Sequence, residues 1–216
     1  WHCEIDQMSY LEGAVRCAAQ HLNILTDTTL VPWYKVQKQS VEAATFFDVI
    51  VMRKDPPFDV AYLTATWMLA QAEKEGAIVL NKPQALRDHS EKLALLEFMQ
   101  WAPPTIVTHH VSDIREFHQK HQDIIIKPLD GMGGMGVFRI GADGLNLASV
   151  VETLGQHGQK ALMAQRFIPE ISEGDKRVLL IDGKAVPYAL ARIPQAGEVR
   201  GNLAAGGEAR AQALTN

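Results

Sequence analysis

The segment IIIKPLDGMGGMGVFRI, residues 124–140, sets the shape of the chain around it. Ile124, Ile125 and Ile126 form a β-branched run suited to a pleated surface, and Lys127 closes the run with a positive charge. Gly131, Gly133 and Gly134 then remove the side chains that restrict the backbone, and residues 136–140 read as a second extended segment. A strand, glycine turn and strand in this order can aim several backbone N–H groups at one anion. The segment departs from GxxxxGK[ST], because no Lys-Ser or Lys-Thr follows the glycines, and it is not GxGxxG. Two readings stay open on these residues alone: a flap that covers phosphates, as in kinases and ligases, and an ordinary hairpin with a mobile tip.

Before this segment the pattern alternates. Residues 8–22 carry Leu11, Ala14, Val15, Ala18 and Ala19 on one helical stripe, which predicts a helix. Residues 48–52 read as a buried strand that delivers Arg53, Lys54 and Asp55 to its C-terminal edge before Pro56 and Pro57 stop it. Residues 61–74 read as a second helix ended by Gly76, and residues 77–80 as a strand. The alternation predicts an α/β layer with parallel strands. In such sheets functional groups gather beyond the strand C-termini, so the charges at residues 53–55 read either as positioned or as an exposed turn. Asp88 and Glu91 resemble a capping box and predict a helix start, with Lys92 in its first turn and Leu93, Leu95, Leu96 and Phe98 on its apolar side. Pro103 and Pro104 mark the next break. The division between lobes falls within residues 81–104, giving domains at 1–88 and 89–216.

The later half predicts a strand at 105–108, a helix at 112–121, a helix at 147–154 and a strand at 161–165. Asp182-Gly183 is a strong two-residue turn joining strands 176–181 and 184–193. This half is α+β, mostly antiparallel sheet with helices against it. Arg177 and Arg192 lie on the two late strands, where guanidinium forks suit carboxylates in a shared cleft. Residues 193–207, IPQAGEVRGNLAAGG, are too rich in glycine and alanine for a strand, and a loop of that length is a lid or is disordered. Arg200 sits near its middle. AQALTN at 211–216 follows without a closing element.

Composition excludes several classes. With 21 basic and 25 acidic residues the formal net charge is -4, and no basic block points to nucleic acid. No apolar run approaches a membrane span and no leader opens the chain, so membrane association is not expected and the cytoplasm is. Cys3 and Cys17 indicate neither a disulfide framework nor a CxxC metal site, which favours a reducing compartment. The eight histidines show no HExxH spacing, and no GxSxG elbow occurs, so neither a metal site nor a nucleophilic side chain is expected. The chain opens on Trp1 rather than methionine, which reads as an excerpt of a longer protein.

Five motifs in succession, MRKDPPFD (52–59), LNKPQALRD (80–88), KPLDGMGG (127–134), GDKRVLLIDG (174–183) and ARIPQAGEVRGNLAAGG (191–207), resemble the bacterial glutathione synthetases over nearly the whole chain. The resemblance implies an ATP-grasp fold behind an N-terminal α/β (pre-ATP-grasp) domain. It implies a ligase that joins γ-glutamylcysteine to glycine through an acyl phosphate at the expense of ATP. By the same resemblance Lys92 and Lys127 bind phosphates, and Gly131, Met132, Gly133 and Gly134 cover them. Gln165, Arg166, Phe167 and Ile168 form the adenine hinge, and Asp175 contacts the nucleotide near its ribose. Arg177, Arg192 and Arg200 serve the substrate carboxylates and the developing charge. Mg2+ is implied, with its acidic ligands expected beyond Asn216, and a homo-oligomer is expected. The opening strand and helix are expected before Trp1, and the 216-residue piece alone is expected to be inactive. Other acceptors, such as D-alanine or glutamate, and a nucleotide-binding module without turnover are the competing readings.

Overall fold

Two adjacent residues in left-handed backbone, Glu12 at φ 54° and Gly13 at φ 83°, turn the chain back on itself near its start. They join β1 (Met8–Leu11) to β2 (Ala14–Ile24) in an antiparallel hairpin with Leu11 opposite Ala14, and β3 (Tyr34–Ala43) pairs with the other edge of β2. The helix expected over residues 8–22 is therefore two strands. Val15, Cys17 and Ala19 are buried at every second position, a strand period. Alanines at 14, 18 and 19 fit a helical stripe equally well, and the two-residue turn decides between the patterns.

The computed structural model describes residues 1–214 apart from residues 28, 30, 56 and 199, so the expected stop at Pro56 lies outside the described residues. Its two units are Trp1–Ala94 and Leu95–Asn216. In the first, β4 (Ile50–Val51) pairs in parallel with β5 (Val79–Leu80) through the crossover helix α1 (Val60–Glu75). Asp59 caps α1 by accepting a hydrogen bond from Tyr62 N at 2.9 Å, and Gly76 ends it in left-handed conformation. The helix buries Tyr62, Ala65, Leu69 and Ala72 against Val15, Ala44, Met52 and Val79. The parallel pairing matches expectation, although only Ile50 and Val51 of residues 48–52 form the strand. Asp88 ends a helix instead of starting one. Pro83 opens α2 (Pro83–Asp88) at its first position, where a missing N–H costs nothing, and His89 N closes it on Ala85 O at 3.0 Å. A 3-10 segment, Leu93–Trp101, follows with Phe98 off helical geometry.

The second unit opens with β6 (Thr105–Thr108), α3 (Val111–His121), β7 (Ile124–Pro128), β8 (Phe138–Ile140), α4 (Leu147–Leu154) and β9 (Leu162–Arg166). The strands form an antiparallel sheet in the order β6-β9-β7-β8. Ile124, Ile126, Ile140, Leu162 and Ala164 face Ile114 of α3 and Leu147 and Val151 of α4 to make its core. His118, buried on α3, lies with Nε2 2.7 Å from the Gly141 carbonyl and ties the helix to the end of β8. A second antiparallel sheet, β10 (Asp175–Ile181), β11 (Lys184–Ile193) and β12 (Glu208–Ala213), is turned by Asp182 and Gly183 at φ 51° and 72°. β12 corrects the expectation that nothing closes the chain after the glycine-rich loop. Its residues, EARAQA, alternate polar side chains with alanine, a weak strand signal because alanine has little β preference, and Glu208 through Ala213 pair along β11.

Candidate functional site

Strand alternation gives the β6-β9-β7-β8 sheet two unlike faces. The face opposite the helices carries Ile125 and Lys127 of β7, Met163 and Gln165 of β9 and Thr105 of β6, with Gln165 directly opposite both Ile125 and Thr105. Lys127 Nζ lies 2.6 Å from Gln165 Oε1, and Gln165 Nε2 lies 2.9 Å from Thr105 Oγ1. Both Lys127 and Gln165 are half-buried on this face, and the glycine loop follows β7, which ends at Pro128, one position past the lysine.

That loop has a built conformation. Met135 N donates to Met132 O at 3.0 Å, and Gly133, Gly134 and Gly136 take φ values of 63°, 83° and 69°. Asp130 at its base is held by Lys160 Nζ at 2.9 Å. A Cβ on Gly134 would stand 2.8 Å from Asn202 Oδ1 and 3.1 Å from Arg200 Cδ, and one on Gly133 would stand 3.8 Å from Ala204 Cβ. The glycine loop and the 193–207 segment, some seventy positions apart, thus lie against each other. The segment is ordered by its own backbone bonds, with Ala205 N on Asn202 O at 2.9 Å and Gly207 N on Asn202 O at 3.1 Å. Arg200 pairs with Glu198 at 2.5 Å, and that carboxylate raises the guanidinium pKa above its ordinary value.

Residues 165–168, the expected hinge, run out from the end of β9. Arg166 N donates to Pro104 O at 3.0 Å and Phe167 N to Asp123 O at 2.9 Å. Among the described residues Ile168 N–H shows no backbone acceptor. Arg139 stacks 3.8 Å over the Phe167 ring and is itself held by Asp123 at 2.6 Å, which raises its pKa. On the late sheet Asp175 and Arg192 are direct cross-strand partners and form a two-point pair, Nε to Oδ1 at 2.7 Å and Nη2 to Oδ2 at 2.6 Å. Arg177 stands two positions along β10 on the same face as Asp175 and is exposed.

The structure thus joins Lys127 with Gln165, Asp175 with Arg192, and Arg200 with the glycine loop. Lys92 belongs to the first unit, where its Nζ lies 2.5 Å from Glu91. Among Arg53, Lys54 and Asp55, Lys54 is an exposed partner of Glu4 at 2.7 Å. Sequence reasoning missed Thr105, Asp130, Lys160 and Asn202. Only strand register and loop packing bring them in, and neither has a local signal.

The model of the N-terminal domain of prokaryotic glutathione synthetase matches residues 1–87, and that of its ATP-grasp domain matches residues 91–216. The glutathione synthetase of Ralstonia nicotianae is 54% identical over 213 residues, covering 99% of this chain and 65% of the relative. That of Photorhabdus laumondii is 48% identical over 218 residues, covering 100% and 68%. The chain spans about two thirds of the length of these curated relatives. Among solved structures, the D-cycloserine synthetase DcsG superposes with a TM-score of 0.56 at 17% identity, over 69% of this chain and 54% of that one. D-alanyl-alanine synthetase A of Vibrio cholerae superposes with a TM-score of 0.53 at 12% identity, over 88% and 57%. These likenesses establish the fold. By sequence and architecture together, the chain belongs to the prokaryotic glutathione synthetase family, with its ATP-grasp fold.

Proposed function

We propose that this chain is the nucleotide-gripping part of a ligase that joins γ-glutamylcysteine to glycine, converting ATP to ADP and phosphate. The observation that carries the reading is the packing of the glycine loop against the 193–207 segment, in a chain about half identical to glutathione synthetases. ATP supplies the phosphoryl group that turns the dipeptide carboxylate, a poor electrophile, into an acyl phosphate. In this reading Lys127 offers a positive charge near the strand end and the loop of Gly131, Met132, Gly133 and Gly134 covers the same phosphates, an arrangement that offsets charge on a transferring phosphoryl group. Lys92 is the second phosphate lysine of this reading.

Ile168 N–H is the hinge donor open to a purine ring nitrogen, since the amides of Arg166 and Phe167 serve Pro104 and Asp123. Arg177 and Arg192 receive carboxylate groups, Arg192 already oriented by Asp175. The 193–207 segment excludes water from the acyl phosphate, with Arg200 on its inner side next to Gly134. Mg2+ belongs to the reading, but among the described residues no three His, Cys, Asp or Glu side chains cluster, and no residue is assigned to it. Among the same residues no helix is long and apolar enough to cross a membrane.

Two measurements test the proposal. In the full-length protein, phosphate release from ATP is expected only with γ-glutamylcysteine and glycine both present; equal release with D-alanine in place of glycine overturns the substrate assignment. Lys127→Ala is expected to weaken ATP binding at least tenfold by calorimetry, in line with loss of a charge-assisted contact. Unchanged affinity removes Lys127 from the phosphate site.

A further inference from the structure

The contacts around Lys127 continue past Gln165 and have only one possible direction. Thr105 Oγ1 lies 2.7 Å from the Pro103 carbonyl, which only accepts, so the hydroxyl proton points there and its lone pairs face Gln165. At the other end the Lys127 ammonium only donates, so Gln165 must present Oε1 to it, at 2.6 Å, and Nε2 to Thr105, at 2.9 Å. A donor-only group and an acceptor-only group fix both ends, and neither the amide nor the hydroxyl between them has a second orientation. The chain of bonds crosses three adjacent strands, β7, β9 and β6, and ends on backbone next to the rigid Pro103-Pro104 pair.

We infer that Thr105 and the Gln165 side chain are positioning residues, which together hold the Lys127 ammonium in place for nucleotide phosphate. The inference rests on the phosphate role of Lys127 proposed above, and it adds a function for the Gln165 amide beyond the hinge backbone. A lysine has four rotatable side-chain bonds, and fixing them on binding is an entropic cost; holding them beforehand moves that cost into folding. A neutral amide does this without cancelling the charge.

The test is a set of variants in the purified protein: Thr105→Val, Thr105→Ser, Gln165→Met, Lys127→Ala and the double variant Lys127→Ala/Thr105→Val. ATP affinity is read by calorimetry and integrity by thermal melting and circular dichroism. Thr105→Val, which keeps the shape and loses the hydroxyl, is expected to weaken ATP binding about tenfold. Thr105→Ser is expected to restore it, and Gln165→Met to weaken it at least as much as Thr105→Val. In the double variant the Thr105 substitution is expected to add nothing, because its effect passes through a lysine no longer there. An equal further loss in the double variant overturns the relay, as does wild-type affinity for Thr105→Val. If Lys127→Ala alone leaves ATP binding intact, the phosphate role has failed instead, and the two failures are told apart.

Discussion

Placing a single methyl group on Gly134 separates two loops whose contact underlies the proposed lid. The new Cβ falls 2.8 Å from Asn202 Oδ1 and 3.1 Å from Arg200 Cδ, so Asn202 must rotate away and Arg200 must shift by a few tenths of an ångström. Giving up that packing costs about 1 kcal/mol. The backbone adds its own cost, because Gly134 sits at φ 83°, where a Cβ costs roughly 1–2 kcal/mol. Gly183→Ala separates the two contributions: Gly183 has a similar φ of 72° in the late hairpin, with no atom within 4 Å of a built Cβ. Both variants bear the backbone strain, but only Gly134→Ala pushes on the 193–207 segment. Limited trypsin digestion, with peptides identified by mass spectrometry, reports cleavage after Arg200, whose rate follows the open population of the segment when reclosing is fast. Gly134→Ala is expected to speed that cut about fivefold relative to Gly183→Ala, the equivalent of about 1 kcal/mol. Equal rates in the two variants refute the contact as an energetic one.

The core of the second unit gives a stability expectation. Ile124 is fully buried between α3, α4 and the sheet, and Ile124→Ala is expected to cost about 2–5 kcal/mol by urea unfolding, against under 1 kcal/mol for the exposed Leu145→Ala. A pH dependence follows from Asp113 in the first turn of α3. Thr108 Oγ1 donates to its carboxylate at 2.7 Å and lowers its pKa, with a smaller contribution from Ser112. A depressed carboxyl stabilises the fold above its unfolded pKa, near 3.9, and that share is lost as pH falls through the lower folded value. The urea midpoint of Asp113→Asn is therefore expected below that of wild type at pH 6, with the gap closing toward pH 2; a gap that holds constant over this range contradicts the assignment.

Features carried by consecutive residues were legible in the sequence. The strand, glycine turn and strand at residues 124–140, the helix Leu147–Leu154 and the Asp182-Gly183 turn each declare themselves within a few positions, through β-branching, helical spacing or left-handed backbone. The hairpin β1–β2 did not, because its alanines satisfy two periods at once and the turn that decides between them is two residues long. Pairings across distance were illegible for a different reason. Lys127 and Gln165 are 38 positions apart, and Gln165 and Thr105 are 60 apart. A one-residue change in register would turn the side chains of either strand to the opposite face, and no local property of these residues announces the register. The same holds for Asp175 and Arg192. Both residues were picked out, for separate contacts with nucleotide and substrate, and the structure joins them to each other.

β12 places Glu208 directly across from Ile193, so the intervening fourteen residues form a hoop moored at both feet on one ladder. A hoop of that length reaches at most about 25 Å from its feet even when pulled straight, since a residue spans roughly 3.5 Å. In the proposed lid role its motion would be that of a visor on a fixed hinge line, with a short search on each closing. A nick at its crest divides the covalent chain, yet both halves stay anchored through six β11–β12 pairs.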